Sequence, residues 1–204
     1  MSSHLSGEAV LYQQRLLSAC GFYNGLLDGD WGPKTDTADQ LFTAKSEALK
    51  SIGTFDSRSE RNIAGLHIKA QEMARRFLAK ATTGSKTVRI ISGNRTYEEQ
   101  NRLFAQGRFG NPGPIVTNAR GGQSNHNFAI AWDIGIFTSS GEYLDGNTAA
   151  EEREYKKVFD LVDGIGLEWG GNWTTIVDLP HYQVPTGKKV SEVRALFEAG
   201  QPYV

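Results

Sequence analysis

Residues 118–135 read NARGGQSNHNFAIAWDIG. Its first half is glycine, amide and small polar residues, and its second half is apolar. The run Phe128-Ala129-Ile130-Ala131-Trp132-Asp133-Ile134 predicts a buried strand that carries Asp133 inward. His126 stands seven residues before Asp133, and on an ideal strand that odd spacing turns two side chains to opposite faces. Either His126 lies in the loop before the strand or a bulge intervenes. Two further groups of the right kind come later, Glu168 in Leu167-Glu168-Trp169-Gly170-Gly171 and His181 in Asp178-Leu179-Pro180-His181-Tyr182. Zinc takes imidazole nitrogen and carboxylate oxygen at roughly 2.0–2.2 Å, and a catalytic site keeps three protein ligands and one water. The residues therefore predict a zinc ion held by His126, Asp133 and His181, with Glu168 moving protons beside it. Enclosure of Glu168 by Leu, Trp and Gly predicts partial burial and a raised carboxyl pKa, as a general base needs. Asp178 is expected to hold the outer nitrogen of a histidine.

Bulk properties narrow the class. The chain has 204 residues, 39% apolar and 22% charged, as an ordinary globular protein has. A formal charge of -1 excludes a broad basic field that would draw it to nucleic acid. No apolar run approaches the roughly 18 residues of a membrane helix. The opening residues lack the basic region and apolar core of a secretory signal, so synthesis in the cytoplasm without a membrane anchor is expected. Cys20 is the only cysteine, which excludes an intrachain disulfide. The 23 glycines predict much irregular backbone.

Outward from the central stretch, the front of the chain predicts a helix over Glu8–Ala19, ended by Gly21. Asn24-Gly25 and Asp28-Gly29 mark two turns, and Pro33 opens a second helix with an apolar stripe at Ala38, Leu41, Phe42 and Lys45. Trp31 is expected between the two helices. Residues 50–60 read as a polar linker, with Ser57 and Glu60 spaced as a capping box. One helix of about five turns is expected from Arg61 through Leu78, with His67 as an ordinary helix histidine. Gly84-Ser85 predicts a turn and Thr87–Ser92 a β-branched strand. Arg95 follows the strand, and Thr96 with Glu99 caps a helix that contains Gln100. Residues 107–122 predict a long irregular passage with a short strand at 115–117. A turn at 137–144, a capping box at Thr148 and Glu151, and a closing helix over 189–199 complete the chain.

Two resemblances emerge from these motifs. Residues 16–42, with Cys20-Gly21-Phe22-Tyr23-Asn24-Gly25-Leu26-Leu27-Asp28-Gly29-Asp30-Trp31-Gly32, resemble one repeat of the small helical peptidoglycan-binding domains. That resemblance implies wall contact through Tyr23, Asp28 and Trp31, with a purely structural cap as the alternative. Residues 57–184 resemble the zinc peptidases that include phage L-alanyl-D-glutamate endolysins and D-Ala-D-Ala carboxypeptidases. Ser92-Gly93-Asn94-Arg95-Thr96-Tyr97-Glu98-Glu99-Gln100 resembles the family's arginine motif, and Ser124 to Asp133 its Ser-x-His and Ala-x-Asp segment. Glu168-Trp169-Gly170-Gly171 and Pro180-His181 match its later blocks, in family order.

This second resemblance implies an α+β fold, a small antiparallel sheet with flanking helices around a zinc site. A small helical module over residues 1–55 precedes it, and the catalytic domain spans 56–204. It implies Glu168 and Arg95 as catalytic groups, with Ser124, Gln100, Asp178 and Trp169 supporting. It implies cleavage of the L-Ala–D-Glu bond in wall stem peptides. A monomer is expected, and without a secretory signal an external release factor such as a holin, a dedicated secretion route or host lysis must bring it to the wall. The alternatives are a D,D- or L,D-carboxypeptidase and, in another class, a non-catalytic wall-binding protein. One departure is visible: Ala129 stands where the family usually has glycine, and its methyl is expected to keep the backbone out of positive φ.

Overall fold

The computed structural model describes residues 6–81 and 86–204. The turn expected at Gly84-Ser85 lies outside the described residues. The chain divides into two compact units. One comprises the residues up to Lys45 with Arg95–Ala129 and Thr186–Val204, and the other comprises Ser46–Asn94 and Ile130–Pro185.

The first unit is helical. Helix α1 (Gly7–Ala19) starts at Ser6, whose side chain accepts from the Ala9 N–H, and it ends as Gly21 takes a φ of 80°. Helix α2 (Pro33–Leu49) begins at the proline and runs on into the second unit. Ala38 and Phe42 are buried on it, but Leu41 is exposed, so the stripe is narrower than its spacing suggested. The double turn between these helices is organised by Gln14, which is fully buried. Its amide donates to the Asp28 carboxylate at 2.8 Å and the Asp30 carbonyl at 3.0 Å, and its oxygen accepts from Gly29 N–H at 2.9 Å.

The same unit holds α5 (Tyr97–Ala105), opened by the expected Thr96–Glu99 capping box, and α7 (Val190–Glu198). Tyr12 of α1 and Phe197 of α7 have ring centroids 5.1 Å apart, and Ser18 donates to the Gly200 carbonyl at 2.8 Å. Residues 115–117 pair with no strand among the described residues, and Ile115 and Val116 face solvent.

The second unit is a five-stranded antiparallel sheet with helices. The strands are β1 (Thr87–Ser92), β2 (Ala131–Phe137), β3 (Tyr143–Leu144), β4 (Glu168–Trp169) and β5 (His181–Gln183). Their order is β1-β2-β5-β4, with β3 paired beside β2. The helices are α3 (Ser57–Ala64), α4 (Ile68–Ala81) and α6 (Ala149–Leu161), the last opened by the Thr148–Glu151 capping box.

The single helix expected over residues 61–78 is two helices. The chain breaks at Gly65-Leu66-His67 because local side chains take over the freed backbone groups. Gln71 donates to the Ala64 and Leu66 carbonyls at 3.2 and 3.0 Å, and His67 Nδ1 accepts from Lys69 N–H at 3.2 Å. The start of α3 also shifts by one residue: Asp56, not Ser57, caps it, accepting from Arg58 and Ser59.

Strand alternation separates core from site. Trp132, Tyr182 and Trp169 point to one face, where Phe77 of α4 meets Tyr182 at 4.6 Å and Trp132 at 6.2 Å. Asp133, His181, Gln183 and Glu168 occupy the alternate positions, with Asp133 paired to His181 and Glu168 to Gln183.

Candidate metal centre

His126 lies on a short 3-10 turn (Asn125–Phe128) that ends before β2 begins. The odd spacing to Asp133 is thus resolved by placing His126 ahead of the strand. The only irregularity in the β1–β2 register sits in β1, between Ile90 and Ser92. Ser124 starts the turn, its hydroxyl accepting from His126 N–H at 3.4 Å.

Ala129 ends the turn at φ 57° and ψ 28°, fully buried. This corrects the expectation that its methyl would keep the backbone out of positive φ: the turn requires the left-handed conformation and the alanine adopts it. The buried Asn127, to which the sequence reading gave no role, secures the turn. Its amide nitrogen donates to the Arg95 carbonyl at 3.0 Å and its oxygen accepts from Gly122 N–H at 3.0 Å. The Arg95 N–H in turn donates to the His126 carbonyl at 3.1 Å. The Arg95 guanidinium donates to Gln100 at 3.1 Å, and Gln100, fully buried, donates to the Ala119 carbonyl at 2.9 Å.

His126, Asp133 and His181 form a group whose ligand atoms all lie within 4.8 Å of one another. Both histidines are buried and Asp133 is half-buried. Two imidazoles and one carboxylate suit a borderline metal such as zinc, so the donor set fits the ion that the sequence predicted.

His181 Nδ1 lies 3.4 Å from Asp133 Oδ1, and its Nε2 lies 2.9 Å from Gln183 Oε1. Burial works against a charge on this ring. The hydrogen bond and charge of Asp133, the bond to Gln183 and the charge of Asp178 outweigh it, and the pKa is raised above its ordinary value. The Trp173 ring rests against the imidazole at 4.9 Å.

The loop entering β5 is held from two sides. Buried Trp169 donates to the Leu179 carbonyl at 2.7 Å and stacks on Phe159 at 4.7 Å. A Cβ on Gly170 would stand 2.5 Å from the Asp178 carbonyl oxygen, so only glycine permits this approach.

Glu168 departs from expectation in one respect. It is exposed rather than partly buried, because alternation on β4 gives the inner position to Trp169. Its Oε2 accepts from Gln183 at 2.5 Å. Asp178 is half-buried, its carbonyl accepting from His181 N–H at 3.2 Å. Gln183 was not singled out from sequence; the only signal was its position two residues beyond His181.

In the helical unit, Tyr23 is buried and donates to the Leu26 carbonyl at 2.7 Å, while Trp31 is half-buried. The Asp28 carboxyl is held below its ordinary pKa, first by the Gln14 amide and then by the Asp30 N–H. These contacts organise the turn itself.

The profile of a family described as D-alanyl-D-alanine carboxypeptidase, of the M15 peptidases, matches residues 117–184. The chain is 34% identical over 124 residues to the peptidoglycan L-alanyl-D-glutamate endopeptidase CwlK of Bacillus subtilis (strain 168), covering 58% of this chain and 73% of that protein. In fold it is similar to the crystal structure of Serratia marcescens L-Ala D-Glu endopeptidase ChiX, with a TM-score of 0.50 and 22% identity over 65% of this chain and 90% of that one.

Proposed function

Because the chain belongs to the M15 family of zinc peptidases, we propose that it is a zinc-dependent peptidoglycan endopeptidase that cuts the L-Ala–D-Glu bond of stem peptides. The observation that carries this reading is the gathering of two histidines and an aspartate in a chain whose curated relative is named for that cleavage. His126, Asp133 and His181 are the proposed holders of the metal. Zinc bound there supplies Lewis-acid polarisation and a water of lowered pKa.

In the proposed reaction Glu168 accepts the proton of the attacking water as its oxygen bonds to the peptide carbonyl carbon. Arg95 donates to the oxygen on which negative charge develops. As the C–N bond breaks, Glu168 returns the proton to the leaving amine. Asp178 is the alternative proton carrier: it stands half-buried three residues before His181, whereas one oxygen of Glu168 is already committed to Gln183.

The carboxypeptidase reading draws on the family description, which rests on residues 117–184 alone. The endopeptidase reading draws on a relative matched over 124 residues and is preferred. Residues 1–55 are proposed as a wall-binding segment, and the holin-type release factor and the monomeric state belong to the same proposal. No helix among the described residues is long and apolar enough to cross a membrane.

Purified stem peptides incubated with the zinc-loaded protein test the reading. Free L-Ala and a fragment beginning at D-Glu are expected by mass. Release of D-Ala with the L-Ala–D-Glu bond intact would sink the endopeptidase assignment, and absence of turnover would favour a binding protein. Glu168→Gln and Asp178→Asn, assayed side by side at equal zinc occupancy, identify the proton carrier as the variant that loses about 10²–10⁴ in rate.

A further inference from the structure

The site face of the sheet carries a chain of polar contacts that the proposed reaction does not itself require. Glu168, Gln183, His181 and Asp133 follow one another across β4, β5 and β2. Glu168 Oε2 accepts from Gln183 Nε2 at 2.5 Å, Gln183 Oε1 lies 2.9 Å from His181 Nε2, and His181 Nδ1 lies 3.4 Å from Asp133 Oδ1.

The polarity of this chain follows from its anionic end. An ionised carboxylate only accepts, so the end of the Gln183 carboxamide that meets Glu168 is its NH2. The carbonyl oxygen is then the end turned to His181. That oxygen also only accepts, so His181 Nε2 carries a proton there. When a metal replaces the proton shared between Nδ1 and Asp133, a neutral imidazole that keeps its proton on Nε2 offers its lone pair from Nδ1, the nitrogen beside Asp133. The strand pairing of Glu168 with Gln183, and the two-residue step from His181 to Gln183 along β5, set these spacings in the backbone.

We propose that Gln183 is a positioning residue that selects Nδ1 of His181 as the metal-facing nitrogen, and that Glu168 holds the Gln183 amide in the orientation this selection requires. The inference rests on the metal reading above. It gives Glu168 a task independent of proton transfer, so it stands whichever carboxylate carries the proton.

Zinc affinity, measured by chelator competition on the full chain, tests it. Gln183→Met keeps the length of the side chain and removes both hydrogen bonds; affinity is expected to fall about 10- to 100-fold. The melting temperature of the metal-free variant, followed alongside, shows that it remains folded. Gln183→Glu sets a second carboxylate against Glu168 and is expected to weaken zinc as well. The exchange Glu168→Gln with Gln183→Glu reverses the donor and acceptor, relieves that repulsion and keeps an oxygen toward the His181 proton, and zinc affinity is expected to return to the wild-type range.

A folded Gln183→Met that holds zinc as tightly as wild type would overturn the inference. So would an exchange variant no better than Gln183→Glu alone. Wild-type protein that takes up no zinc would overturn the metal reading first and this inference with it.

Discussion

Ala129 occupies a conformation that costs an L-residue roughly 1–2 kcal/mol, directly after the turn that carries His126. Glycine would relieve that cost. It would also add about 0.5–1 kcal/mol of chain entropy lost on folding and remove a buried methyl worth about 0.8 kcal/mol. These terms nearly cancel, so Ala129→Gly is expected to change stability by less than about 1 kcal/mol in a denaturant titration. Ala129→Val places a β-branched side chain at positive φ in a fully buried position, and a loss above about 2 kcal/mol is expected. A valine variant as stable as wild type would mean that the turn relaxes away from its left-handed geometry. The alanine is therefore tolerated by balance rather than by fit, which is why a rule of backbone preference read from sequence gave the wrong conformation.

Among the elements, α3 and α4 are tied together by a partly buried ionic contact. Arg75 is fully buried on α4, and both its terminal nitrogens meet Glu60 of α3, at 2.9 and 2.8 Å. Glu60 also accepts from the Phe55 N–H at 2.9 Å. Burial alone would raise the Glu60 pKa, but the bond to Arg75 and the Phe55 N–H bring it below its ordinary value. A carboxyl whose pKa is lowered by folding stabilises the fold above its unfolded value, near pH 4.5. That stabilisation is lost as pH falls through the folded value. Glu60→Gln leaves Arg75 as an uncompensated buried charge, and a cost of about 3–5 kcal/mol is expected, with a flatter loss of stability below pH 4.5 than wild type. Equal acid sensitivity in the variant would show that other carboxylates dominate. What the sequence made legible here follows sequence distance. The capping boxes at Thr96–Glu99 and Thr148–Glu151 and the β-branched run of β1 rest on contacts within a few residues, and all three formed. The break at Gly65-Leu66-His67 was hidden because the apolar period runs through it, while the Gln71 amide that stabilises it carries no periodic signal. At the metal centre the donor types were legible from residue chemistry. Gln183 and Asn127 were not, because their partners at Glu168 and Arg95 lie 15 and 32 residues away.

For the molecule as a whole, the front of the chain is packed as part of the unit that carries His126. Tyr12 donates to the Asn127 carbonyl at 3.1 Å, one residue beyond His126, and its ring meets Phe197. Tyr203 donates to the neighbouring Phe128 carbonyl at 2.6 Å. Removing residues 1–55 should therefore lower the melting temperature and slow cleavage of soluble stem peptides, as well as any attachment to walls. Truncated protein that cuts soluble peptides at the wild-type rate would instead support a detachable wall-binding segment. Point variants at Trp31, which leave α1 in place, separate wall attachment from stability more cleanly than deletion does. The pairing of α1 with α7 also bears on how such a protein diversifies. A recombination event that traded the front of the gene for an unrelated sequence would leave Phe197 without its aromatic neighbour and the Gly200 carbonyl without the Ser18 hydroxyl. Viable hybrids would have to inherit both ends of the chain from the same parent.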